Sequence, residues 1–133
     1  MNKYLLDTNI CIYIIKNKPE SVKQKFESLD LGDIFISSVT VSELVYGAYK
    51  SKKIEQNLKS LEKFFLPLEV VDFDYKSSYE YAKLRADLEK RGLVIGQLDM
   101  QIAAVALAND MILVTNNTRE FERIASLKLE NWV

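Results

Sequence analysis

Histidine is absent from this chain, so no imidazole can serve as general base, nucleophile or metal ligand, and every catalytic scheme that needs one is excluded. Cysteine occurs once, as Cys11 within an apolar stretch. A disulfide framework is therefore impossible, and a buried thiol is the natural expectation. Two prolines and four glycines in 133 residues predict short loops and dense regular structure. Neither a P-loop nor a dinucleotide-binding glycine pattern is present. The longest uninterrupted apolar run, residues 102–108, has seven residues, against the roughly 20 that a bilayer requires. The first apolar stretch is interrupted by Asp7 and lacks the pattern of a signal peptide. Cytoplasmic residence without membrane attachment is expected.

What is present fits one soluble domain over residues 1–133. Apolar residues make up 48% and charged residues 28%, which excludes a disordered or fibrous chain. The net charge of −1 lacks the basic footprint usual for nucleic-acid binding. With four acidic residues set aside for a site, however, the rest of the surface becomes +3. Lysines recur through the first half, among them Lys16, Lys18, Lys50, Lys52 and Lys53. Most read as solvated helix faces; Lys50 and Lys52 are candidates for holding phosphates.

The apolar pattern alternates between short strand-like runs and helical periodicity. Strands are expected at 4–6, 34–37, 68–71, 112–114 and 127–129. Helices are expected at 10–16, after Pro19, from 40 to about 51, from 54 to Pro67, at 74–91 with Gly92 as C-terminal cap, at 98–109, and as a turn or two at 118–124. Residues 98–109 are nearly all apolar, so that helix should be central. Strands alternating with helices predict an α/β fold: a mostly parallel sheet with helices on both faces.

Four acids fall where a strand ends or a helix begins: Asp7, Glu43, Asp99 and Glu120. In open α/β sheets the ligand crevice lies at the carboxyl ends of the strands, so carboxylates delivered there from distant segments converge. Two like charges ~4 Å apart repel by roughly 4 kcal/mol at an effective dielectric of 20. Four can share a pocket only if protons or a cation neutralise them. Hard oxygen ligands suit Mg²⁺, with Mn²⁺ as the alternative. Each acid also has a structural explanation. Asp7, followed by Thr8 and Asn9, fits a helix N-cap. Glu43 fits a capping box, Thr40-Val41-Ser42-Glu43, although Gly47 one turn on leaves space beside it. Asp99 suits the positive end of a helix, and Glu120 could pair with Arg119 or Arg123. Jointly, four acids at one sheet edge favour a metal site.

Leu6-Asp7-Thr8-Asn9, Ser42-Glu43-Leu44 with Gly47, Ile95-Gly96 leading to Asp99 and Ile102-Ala103-Ala104, and Thr115-Asn116-Asn117 leading to Glu120-Phe121 together resemble the PIN domain. More narrowly, they are similar to the VapC toxin ribonucleases of bacterial toxin–antitoxin pairs. The resemblance covers the whole chain and implies a three-layer α/β/α PIN-like domain with Mg²⁺- or Mn²⁺-dependent endoribonuclease activity. It also implies a homodimer and inhibition by a cognate VapB-type antitoxin. On the family's pattern Asp7, Glu43 and Asp99 match the acidic triad, and Asn117 and Glu120 share the fourth position. Thr8, Asn9 and Thr115 are supporting positions. Members of the family often cut tRNA; similarity around Lys16-Asn17-Lys18-Pro19-Glu20 makes initiator tRNA the first candidate. The rivals are a non-catalytic PIN-like RNA- or protein-binding module and a metal-dependent phosphatase with Asp7 as nucleophile. The phosphatase usually carries a second aspartate two residues on, where this chain has Asn9.

Overall fold

The structure is a computed structural model that describes residues 2–133. Among these, five strands form one sheet: β1 (Tyr4–Leu6), β2 (Ile34–Ser37), β3 (Glu69–Val71), β4 (Ile112–Val114) and β5 (Leu129–Glu130). The order is β3-β2-β1-β4-β5 and every pairing is parallel. β1 and β2 consist entirely of buried residues, as strands covered on both faces must. Side chains alternate across the sheet, and the two cores divide accordingly. Leu5, Phe35 and Leu113 point into one; Tyr4, Leu6, Ile34, Ile36 and Val114 point into the other.

Helices cover both faces. On the first lie α5 (Tyr75–Arg91), through Leu84 and Leu88, and α6 (Gln97–Ala108). α6 is the central helix that its composition demands, with Met100, residues 102–106 and Ala108 all buried. On the second lie α1 (Thr8–Lys16), α2 (Glu20–Ser28), α3 (Ser38–Tyr49) and α4 (Ile54–Phe65), docked through Ile10, Val22, Leu44 and Leu61. A last helical turn, α7 (Thr118–Phe121), follows β4. The result is the expected α/β/α arrangement. Each fully buried leucine or isoleucine in these layers contributes roughly 1.5–3 kcal/mol.

The connectivity fixes where a site can be. From β1 the chain steps outward through β2 to β3, then returns to the other side of β1 for β4 and β5. The strand order therefore reverses between β1 and β4, and the crevice of such a sheet opens at that point beyond the carboxyl ends of the strands. Leu6 is in register with Ile36 and Val114, so the next residues, Asp7, Ser37 and Thr115, end side by side.

Three sequence expectations change. The capping box at Thr40 does not form: α3 begins two residues earlier, capped by Ser37, whose Oγ accepts from the Thr40 N–H at 3.1 Å. β2 runs into α3 without a loop, so the cap is the strand's last residue and Glu43 is released from capping. Pro19 is the N-cap of α2, one residue outside its first turn. The last strand is Leu129–Glu130, shifted toward the C-terminus, although Lys128 still accepts from the Leu113 N–H at 2.9 Å.

Candidate active site

Asp7 stands at the reversal point. Its N–H continues the β1–β4 ladder to the Val114 carbonyl at 3.0 Å. Its side chain caps α1, accepting from the Ile10 N–H at 2.9 Å. Burial pushes its carboxyl above the ordinary range. A hydrogen bond from Thr115 and the Ile10 and Asn9 amides pull it back, while the charge of Glu43 adds a further upward push. Cap and site residue, posed by the sequence as alternatives, are thus compatible in one buried side chain.

Glu43 lies in the second turn of α3, and its Oε1 accepts from the Thr8 hydroxyl at 2.6 Å. That short, charge-assisted bond ties the start of α1 to α3. Asp99 is the third residue of α6, where the N-terminal end of a helix favours negative charge. Gly96 lies beside it: a Cβ there would make ordinary van der Waals contact with Asp99 Oδ2 at 3.6 Å. The Asp99 carboxyl is pushed up to about 6, first by burial and then by the charges of Asp7, Glu43 and Glu120. All four acids therefore share one electrostatic neighbourhood. No ion pair among the described residues involves any of the four.

The supporting positions differ in kind. Thr115 is fully buried; its Oγ1 accepts from the Asn117 N–H at 3.0 Å while its hydroxyl serves Asp7. Asn117 precedes α7 without capping it through its side chain. Asn9 is exposed and reaches Asp7 only through its backbone N–H. Glu120, half-buried in α7, pairs with neither neighbouring arginine: Arg123 is turned to the Leu93 and Val94 carbonyls at 3.4 Å. Among the described residues no three acidic side chains converge at ligating distance. One oxygen of Asp7 is turned to the α1 amides and one of Glu43 to Thr8, which leaves the second oxygen of each carboxylate outside these bonds.

A groove of about 430 Å³ runs from this pocket between α1, α3 and α4, lined by Thr8, Ile12, Lys16, Glu43, Gly47 and Asn57 among others. Lys16, rather than Lys50 or Lys52, is the lysine that lines it; the Lys50 ammonium sits 5.7 Å from the Tyr46 ring. Sequence reasoning treated Thr40 only as a cap and passed over Ser37. Both are fully buried and join Thr8 and Glu43 in one hydroxyl network. The signal was there: polar residues at 37 and 40, where a buried strand meets a buried helix face, must find partners.

Comparison with known proteins gives a consistent result. The family model described as PIN domain matches residues 4–127. The chain is 47% identical over 132 residues to the tRNA(fMet)-specific endonuclease VapC of Shigella flexneri, covering 99% of each. It is 48% identical over 130 residues to Ribonuclease VapC2 of Rickettsia felis, covering 97% of each. Among solved structures it superposes on the DNA-bound VapBC of Salmonella typhimurium with a TM-score of 0.93 and 44% identity, covering 100% of both chains.

Proposed function

The chain belongs to the PIN-domain family, with VapC ribonucleases among its close relatives, and from that premise we propose that it is the toxin ribonuclease of a toxin–antitoxin pair, hydrolysing RNA phosphodiester bonds with a divalent cation. The observation that supports this reading is that four acids from separate segments share one electrostatic neighbourhood and, among the described residues, none of them forms an ion pair. Burial first, and then the charges of the other three, push the Asp99 carboxyl up to about 6, and a hard cation would relieve that repulsion.

The donor set fits Mg²⁺ or Mn²⁺: carboxylate oxygens and neighbouring hydroxyls, without nitrogen or sulfur. Asp7, Glu43, Asp99 and Glu120 would hold it. When bound, the ion supplies Lewis acidity that lowers the pKa of water and offsets charge on the phosphate. The chain's own residues do the rest. Thr115 holds the Asp7 carboxylate, Thr8 holds Glu43, and the start of α6 sets Asp99 facing both. Lys16 stands in the adjoining groove, placed to meet a flanking phosphate without reading sequence. The proposed protein assembles as a homodimer.

For substrate, the Shigella relative is named for tRNA(fMet), and initiator tRNA is the proposed target here. Purified protein with Mg²⁺ should cut initiator tRNA and spare an elongator methionine tRNA. Equal cutting of both would remove the specificity; sparing of both would sink the ribonuclease reading.

For partner, solved relatives are VapBC complexes, and the proposed occupant of the groove is a VapB-type antitoxin. Its apolar segment would lie over Ile12 and Ile15, and a cationic side chain would enter the acidic pocket. Gly47 gives a test. A Cβ there meets nothing within 4 Å, and glycine inside a helix costs about 0.5–1 kcal/mol relative to alanine. Gly47→Leu should therefore leave the protein at least as heat-stable while filling the groove. Antitoxin affinity, measured by calorimetry, should fall ~10-fold or more, equivalent to about 1.4 kcal/mol. Unchanged affinity would place the antitoxin elsewhere.

A further inference from the structure

Glu43 ends a hydrogen-bonded chain that begins in the interior of the protein. Thr8 Oγ1 lies 2.6 Å from Glu43 Oε1 and 3.3 Å from Thr40 Oγ1. Thr40 Oγ1 lies 3.3 Å from Ser37 Oγ, which accepts from the Thr40 N–H at 3.1 Å. A hydroxyl has one proton to give, and an ionised carboxylate has none. Thr8 therefore has a single proton for two acceptors, Glu43 at 2.6 Å and Thr40 at 3.3 Å, and the shorter, charge-assisted bond to Glu43 dominates. Thr40 Oγ1 accepts from Ser37 as well, so Thr8 is held between the Glu43 carboxylate on one side and the Thr40 oxygen on the other.

We infer that Thr40 is a positioning residue for the site, acting through Thr8 to fix the Glu43 carboxylate for the cation. The inference rests on the metal-dependent ribonuclease reading and deepens it. Thr40 and Ser37 are 0% exposed, so neither meets substrate or solvent. Ser37 is already needed as the α3 cap, whereas Thr40 sits past the cap, where the helix backbone makes no demand on its hydroxyl. That hydroxyl oxygen is the second acceptor facing the Thr8 hydroxyl and so limits the orientations open to it. With Oε1 engaged by Thr8, the second oxygen of Glu43 is the one left for a cation. Removing the Thr40 hydroxyl frees Thr8 to turn, and Glu43 loses its fixed rotamer while keeping its charge. Partners that orient a metal-ligating group in this way are worth about 10–100-fold in metal affinity or activity.

The test compares Thr40→Val, which removes the hydroxyl and keeps the branched shape, with Thr40→Ser, which keeps the hydroxyl and drops a methyl. Mn²⁺ binding without RNA is read by electron paramagnetic resonance, alongside kcat and KM for RNA cleavage and the melting temperature. Thr40→Val should weaken Mn²⁺ binding by ~10–100-fold and lower kcat at limiting metal, with KM for RNA unchanged. Thr40→Ser should restore both. If Thr40→Val does not fold, Thr40→Ala against Thr40→Ser isolates the hydroxyl at equal loss of the methyl. Wild-type Mn²⁺ affinity in the Val or Ala variant overturns the inference, as does equal damage from Ser, which would mean packing alone. A wild-type protein that neither binds Mn²⁺ nor cuts RNA takes down the ribonuclease reading and this inference with it. A wild-type protein that does both, beside an unimpaired Thr40→Val, sinks the inference alone.

Discussion

Asp99→Asn is expected to abolish RNA cleavage and, in the metal-free protein, to raise the melting temperature. The two effects share one cause. Asp99 is negative in a half-buried position facing Asp7, Glu43 and Glu120, and its carboxyl is pushed up to about 6 as a result. An acid whose folded pKa exceeds its unfolded value destabilises the fold when ionised. Between the ordinary carboxyl value of 3.8 and about 6 the folded state binds more protons than the unfolded one. This group's contribution to stability is therefore present at low pH and lost as pH rises through about 6. At neutral pH the penalty is roughly 1–2 kcal/mol once discounted for its half-exposed position, equivalent to about 3–8 °C in melting temperature. Asparagine removes the charge and keeps the shape, so the variant should melt higher at pH 7.5 and converge with wild type near pH 4. Cleavage should meanwhile fall ~10³-fold, the loss of about 4 kcal/mol of charge stabilisation at the phosphate. Calorimetric melting across pH and a labelled RNA substrate check both halves. A variant that still cuts removes Asp99 from the site. One that melts below wild type at pH 7.5 shows that the carboxylate serves the helix rather than opposing its neighbours.

Strands and helices were legible because their burial is written in short apolar runs and 3.6-residue spacing; α6 is the clearest case. The order of the strands was not. Tyr4-Leu5-Leu6 and Ile112-Leu113-Val114 look alike as sequence, and nothing in either states that they lie side by side. The reversal between β1 and β4 nevertheless decides which acids meet. In α5, Tyr75 and Tyr79 are exposed, while Ser77, Leu84 and Leu88 carry the burial.

The acids were legible as a set and ambiguous one by one, for a physical reason. Capping and carboxylate chemistry favour the same residue types at the same place, the first turn after a strand. Asp7 caps α1 with the same side chain whose charge pushes Asp99 up. Glu43 was ambiguous because Thr-x-x-Glu satisfies the local capping pattern, whereas the true cap, Ser37, belongs to the preceding strand. Only tertiary packing reveals that Thr40 is buried, and with it the hydroxyl network behind Glu43.

Removing divalent metal should stop cleavage outright, and adding it should stabilise the fold by an amount that Asp99→Asn erases. Four carboxylates that form no ion pair among the described residues repel in the metal-free protein; a bound divalent ion would turn that repulsion into attraction, so metal should bind the folded chain in preference to the unfolded one. At 100 times its dissociation constant such a ligand adds about 2.7 kcal/mol, or roughly 10 °C in melting temperature for a chain of this size. Protons compete for the same oxygens: Asp99 must lose its proton to act as a ligand, so apparent affinity should fall about tenfold per pH unit below pH 6. The measurement is a melting series in Mn²⁺, Mg²⁺ and EDTA for wild type and Asp99→Asn, with RNA cleavage assayed in parallel. Wild type should gain stability from either ion and lose all cutting in EDTA, while the variant gains nothing. Continued cutting in EDTA would eliminate the cation from the chemistry and leave the acidic pocket as a docking site for positive charge. Metal-induced stabilisation that survives Asp99→Asn would put the ion on a surface away from this crevice.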